Sequence, residues 1–118
     1  MLIHLLTVAA DDHRHGKLRP GLRLTRFRER PEFGDLTPGC RIEVRLAEGR
    51  CIPVRLRTLL LDGVRSEKQT RLEDFAAVCL APGNARILLR LSPGLSDELA
   101  PVGSEIWFDP ADIDLNGW

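Results

Sequence analysis

Between Arg41 and Arg57, apolar and charged residues alternate in two blocks, Arg41 to Leu46 and Ile52 to Arg57, separated by a polar stretch that contains Gly49. A period of two is the mark of a strand with one face on a core, so the blocks read as the arms of a β-hairpin. Parity sets the loop. With Ala47-Glu48-Gly49 as a three-residue loop and Gly49 in the left-handed conformation open to glycine, Leu46 faces Arg50, Val44 faces Ile52 and Ile42 faces Val54. The apolar rows then coincide. A two-residue loop would set Val44 against Pro53 and Ile42 against Arg55, sending the rows to opposite faces of the ribbon. The first register places Arg41, Glu43, Arg45, Arg55 and Arg57 on the outer face, with Glu43 diagonal to its arginine neighbours. Pro53 lacks an amide proton and belongs where the ladder requires none.

The rest of the chain reads as strands added to this hairpin. Leu2 to Ala9 is a short apolar run suited to a strand wrapped into a barrel, Leu22 to Arg28 a second strand with exposed arginines, and Pro31 to Gly39 a break. The second hairpin arm continues through Leu61. Arg65 to Asp74 holds a capping-box pattern, Thr70-Arg71-Leu72-Glu73, and reads as a short helix near 67–75 or a polar loop. Ala76 to Leu80 and Ala85 to Leu91 flank a Pro82-Gly83-Asn84 turn, and Val102 to Phe108 is the last strand. The expected fold is all-β: a small closed or partly open antiparallel barrel of about six to seven strands. Residues 1–108 form its single domain, and 109–118 form an acidic, apolar tail.

Composition narrows the function classes. The chain has 118 residues, 43% hydrophobic and 29% charged, which fits one ordinary globular body. It has no Tyr, four Phe and two Trp, too few for an extended base-stacking platform, and Phe27 and Phe33 are expected inside. The net charge is zero, yet residues 1–60 carry 12 Lys/Arg against 7 Asp/Glu and residues 61–118 carry 5 against 10. Three cysteines, Cys40, Cys51 and Cys79, form no even framework. The hairpin register points Cys40 inward and Cys51 outward, so free thiols and a cytoplasmic setting are expected. The run from Leu2 to Ala10 lacks a preceding positive charge and is too short for a membrane span.

The nearest approach to a metal cluster is Asp11, Asp12, His13 and His15, since imidazole and carboxylate suit a divalent ion. Their spacing matches no established ligand motif. His4 is expected to be a partly buried residue with its ring nitrogens satisfied. No Cys-x-x-Cys, His-Glu-x-x-His or Gly-x-Ser-x-Gly string is present, and no cofactor motif is found. Basic residues lie at Arg14, Lys17, Arg19, Arg23, Arg26, Arg28 and Arg30, and on the hairpin at Arg41, Arg45, Arg55 and Arg57. Arg23, Arg26, Arg28, Arg41, Arg45, Arg55 and Arg57 make the candidate binding surface.

Three phrases resemble the second domain of elongation factor Tu and its relatives, a small barrel of translational GTPases. They are Pro38-Gly39-Cys40-Arg41-Ile42-Glu43-Val44, Ile52-Pro53-Val54-Arg55-Leu56-Arg57, and Ala81-Pro82-Gly83-Asn84-Ala85-Arg86-Ile87-Leu88-Leu89, with Val102-Gly103-Ser104-Glu105-Ile106 at the family's closing strand. The family's nucleotide chemistry resides in a separate domain with a Gly-x-x-x-x-Gly-Lys-Ser/Thr loop, which this sequence does not contain. The resemblance implies a docking barrel, which in translation factors meets tRNA or ribosomal RNA. The leading expectation is a non-catalytic binding module for a macromolecular partner, a protein or ribonucleoprotein. The alternatives are a structured-RNA binder and a small enzyme with a loop-built metal site. A homodimer formed through a barrel edge is a further partner class.

Overall fold

The computed structural model describes residues 1–62, 70–71 and 85–114. In chain order its elements are β1 (Ile3–Thr7), β2 (His13–Arg14), β3 (Lys17–Leu18), β4 (Gly21–Arg23), α1 (Leu24–Glu29), β5 (Cys40–Arg45), β6 (Cys51–Asp62), β7 (Thr70–Arg71), β8 (Arg86–Ser92) and β9 (Glu105–Ile113). Single 3-10 turns lie at Ala10–Asp12 and Pro31–Asp35.

The hairpin register is the one that parity demands. Ile42 pairs with Val54 and Val44 with Ile52, the loop closes with Leu46 N–H donating to the Arg50 carbonyl at 2.8 Å, and Gly49 has φ +97°. The Leu46–Arg50 pair is hydrogen-bonded, so bonded pairs recur at Val44–Ile52 and Ile42–Val54, and Glu43–Pro53 falls between them. The missing amide proton of Pro53 therefore points away from β5. On that flank β8 joins β6 only from Arg55 onward, so no ladder bond is lost.

The main sheet runs β1-β9-β5-β6-β8-β4, with β7 on the side of β6, and every pairing is antiparallel. It curls strongly into a half-barrel, the partly open form of the expected architecture. β2 and β3 make a second, two-stranded sheet. The concave face carries the core: Ile42, Val44, Leu56, Ile87, Ile106 and Phe108 are buried there. Phe33 is fully buried, its ring centroid 6.3 Å from that of Phe108, and Phe27 packs against the same core. No helix among the described residues is long and apolar enough to cross a membrane.

Two stretches differ from their sequence reading. The strand expected from Leu22 to Arg28 ends at Arg23, and Leu24–Glu29 is helical. Leu24 and Phe27 are three apart, a helical spacing that turns both toward the core, and this is why alternation fails there. The last strand begins later and runs further, from Glu105 to Ile113, so the first half of the 109–118 tail belongs to the sheet. Ion pairing secures it: Arg55 donates to Asp112 Oδ1 at 2.7 Å and to the Asp112 carbonyl at 3.0 Å. Asp114 N–H bonds the Gly39 carbonyl. The strand expected at 76–80, the Pro82-Gly83-Asn84 turn, Cys79 and Trp118 lie outside the described residues. So does the 67–75 window apart from Thr70–Arg71, which pair with Leu61 and Leu60.

Candidate functional site

On the outer face of the hairpin, alternation places Arg41 directly opposite Arg55, an unfavourable like-charge pair. Two carboxylates offset it. Glu43 sits between Arg41, 4.0 Å away, and Arg45, 3.4 Å away, while Asp112 takes Arg55. The Cys51 thiol beside Glu43 holds its carboxyl below the usual carboxylate range, with Arg45 and Arg41 acting the same way, and the carboxylate in turn pushes the Cys51 thiol up. Arg45 also lies over the Trp107 ring at 4.2 Å, and His4 meets the same indole at 5.1 Å. His4 is half-buried as expected, but its Nε2 has no hydrogen-bond partner among the described residues. Arg41, Arg45 and Arg55 on this face are neutralised or stacked within the protein itself.

A second recess follows the open seam between β1 and β4. Of about 470 Å³, it is lined in part by His4, Asp11, Asp12, Arg23, Arg26 and Arg86. The buried carboxylate of Asp12 joins the two edges, accepting from Ala9 N–H at 2.8 Å and from Gly21 N–H at 2.9 Å. Arg86 crosses toward it and pairs with Asp11 at 2.6 Å. Gly21 leaves room for that crossing, since a Cβ there would stand 3.2 Å from Arg86 Cδ. Arg26 Nε donates to the Leu5 carbonyl on β1 at 2.7 Å, and its guanidinium lies 5.6 Å from the Phe33 centroid. These contacts close the barrel wall with side chains where backbone pairing stops.

The third recess is different in kind. It has a volume of about 230 Å³ and is lined by Lys17, Arg19, Arg57 and Arg90 over an aliphatic floor that includes Leu18, Leu89 and Leu91. No carboxylate lines it among the described residues. None of the four cationic side chains has an ion-pair or hydrogen-bond partner among the described residues. Lys17 and Arg19 come from β3 and the residue beyond it, Arg57 from β6 and Arg90 from β8. Leu89 N–H donates to the Pro20 carbonyl at 2.9 Å, so Arg19 lies beside Arg90. Thr58 pairs with Arg90, and a register shift between Leu56 and Thr58 leaves Arg57 unpaired in the ladder and exposed. Arg19, Arg90 and Arg57 thus stand on three adjacent chains, each about 4.8 Å from the next. Thr58 Oγ1, beside them, is buried and lacks a hydrogen-bond partner among the described residues.

Sequence reasoning named Lys17 and Arg19 among the early basic residues, grouped Arg57 with the hairpin, and missed Arg90. Alternation along Arg86 to Leu91 could have marked Arg90 as outward-facing, but the bulge that brings Arg57 to it has no sequence signal. Of the proposed surface, Arg41, Arg45 and Arg55 are paired on the hairpin, Arg26 serves the seam and Arg28 also has a partner. Arg23 lines the seam recess and Arg57 the cationic one.

The four metal candidates are dispersed among other tasks. Asp12 holds the seam, Asp11 pairs with Arg86, and His13 Nε2 donates to the Ala100 carbonyl at 2.7 Å. His15 has φ 54° in the turn joining β2 to β3, a backbone state that His tolerates better than most residues. Among the described residues no three His, Cys, Asp or Glu side chains are grouped to hold a metal ion. Comparisons with family models, curated proteins and solved structures give no match to this chain.

Proposed function

We propose that this chain is a non-catalytic, cytoplasmic binding module, a barrel of the elongation factor Tu second-domain type, that docks a macromolecular partner through an anionic group of that partner. The observation that carries this reading is the recess of Lys17, Arg19, Arg57 and Arg90, where four cations share one cavity without a carboxylate among the described lining residues. Elsewhere on the described surface Arg30, Arg41, Arg45, Arg50, Arg55 and Arg86 are matched by acids of the same chain, which is how a protein stabilises its own fold. Unmatched cations that converge repel one another and confer no stability, so an external anion gives the arrangement its use. The free thiols of Cys40 and Cys51 agree with a reducing setting.

The test is affinity capture from a cell extract at low and high salt, with the wild-type chain and an Arg57→Ala/Arg90→Ala variant as baits. The reading expects partners retained by the wild type at low salt and lost both at high salt and from the variant. The same partners on both baits would remove the recess from the docking surface.

A further inference from the structure

The recess has a limited extent, and its borders say what kind of anion it suits. Beyond Arg57 on the outer face lies Arg55, paired with Asp112, and beyond that Arg41 and Arg45, paired with Glu43. On the seam side Arg86 is paired with Asp11. Among the described residues four unpaired cations meet in one cavity of about 230 Å³, and the arginines flanking it are paired, so it does not continue as a track; the exposed Arg23 stands in the seam recess. A nucleic-acid backbone needs such a track, because its affinity is built from many successive phosphate contacts. Single-stranded RNA also draws on aromatic stacking, and no aromatic side chain lines this recess among the described residues. The chain's net charge of zero gives no long-range attraction for a polyanion.

A compact dianion has the opposite requirements. A phosphate monoester concentrates close to two negative charges and three acceptor oxygens on one centre, and guanidinium groups meet such oxygens in paired, charge-assisted hydrogen bonds. Arg19, Arg90 and Arg57 on three neighbouring segments of the chain, together with Lys17, bring that density of donors to one cavity. The aliphatic floor of Leu18, Leu89 and Leu91 sets them in a low-dielectric surround, where each contact is stronger than in open water.

We infer that the recess of Lys17, Arg19, Arg57 and Arg90 receives a phosphorylated serine or threonine side chain of a protein partner. The inference rests on the reading of this recess as the docking surface and narrows the anion to a phosphate monoester.

The experiment is a titration of the isotope-labelled full chain, followed by its backbone amide resonances. The probes are a short phosphoserine peptide with glycine flanks, its unphosphorylated twin, inorganic phosphate, a polyglutamate peptide and a single-stranded oligouridylate. The phosphopeptide should shift the amides of Leu18, Arg57, Thr58 and Arg90, and the twin should not. Arg90→Ala or Arg57→Ala should weaken binding about tenfold, as loss of a charged hydrogen bond does, while Arg41→Ala leaves it unchanged. All three positions are solvent-facing, and an unchanged amide spectrum of each variant verifies its fold.

Equal shifts from the phosphopeptide and its twin, or binding that survives in both recess variants, would overturn the inference. Inorganic phosphate binding as tightly as the phosphopeptide would replace the protein partner with a small phosphate. Tighter binding of oligouridylate or polyglutamate at the same amides would keep the docking surface and remove the phosphate monoester. If no probe perturbs these amides, the docking reading falls as well.

Discussion

The hairpin and the seam are two parts of one barrel wall held together by different means. Across β5 and β6 the wall is a backbone ladder whose register follows from residues close in sequence. Between β1 and β4 no ladder exists, and the edges are joined by one buried carboxylate, Asp12, together with Arg26 and Arg86. A ladder shares its load among many bonds, so removing one outer side chain leaves it standing. The seam concentrates its load on a few side chains, and single substitutions should open it.

Four measurements would break or sharpen this contrast. The largest effect is expected from Ile42→Ala on the hairpin's inner face, which removes a fully buried side chain and should lower stability by about 4 kcal/mol in urea unfolding. Protection of amides from exchange should fall throughout the sheet. Asp12→Ala should lower stability by about 3 kcal/mol, since it strands two backbone donors in a buried setting. Its exchange signature should differ, with faster opening near Ala9 and Gly21 and the hairpin amides retained. If hairpin and seam amides open together, the two regions are one cooperative unit and the contrast fails.

Cys40 comes third. Burial pushes its thiol from the ordinary 9.0 up to about 11, so above pH 9 the unfolded chain releases a proton that the folded chain still holds. The corresponding stability is complete below about pH 9 and declines as pH rises through 11, by on the order of 2 kcal/mol. Cys40→Ala should show a flatter urea midpoint across that window, and an equal slope would contradict the burial argument. The smallest effect is expected from Glu43→Gln. Its folded carboxyl titrates below the unfolded one, so its contribution is present above the ordinary Glu value and is lost as pH falls through the folded value. At neutral pH the change should reduce stability by about 1 kcal/mol, with less loss at high salt. A salt-independent loss would mean that packing, and not charge, gives Glu43 its place.

What could be read from the sequence follows the same division. The register of Ile42 with Val54, the inward Cys40 and outward Cys51, and the long second arm through Leu61 all depend on neighbours within one turn of chain. Parity and loop geometry decide them. The helix at Leu24–Glu29 was obscured because Leu22 and Leu24 also fit a strand, and only packing of Phe27 resolves the choice. Asp12, Arg86 and the recess of Lys17, Arg19, Arg57 and Arg90 bring together residues distant in sequence, and no local pattern records that. The ion pair of Arg55 escapes local pattern for the same reason, since its partner Asp112 lies 57 residues away.

The position of β9 between β1 and β5 has a further consequence for how the chain comes to be folded. Although it follows the other described strands in the chain, β9 fills the gap between β1 and the hairpin, so one edge of β1 and one edge of β5 wait unpaired until residues 105–113 have been made. The sheet's joining step therefore waits for β9, with two sticky margins exposed in the interval. A chain stopped before Glu105 would keep a well-formed hairpin and still be a substrate for chaperones or proteases.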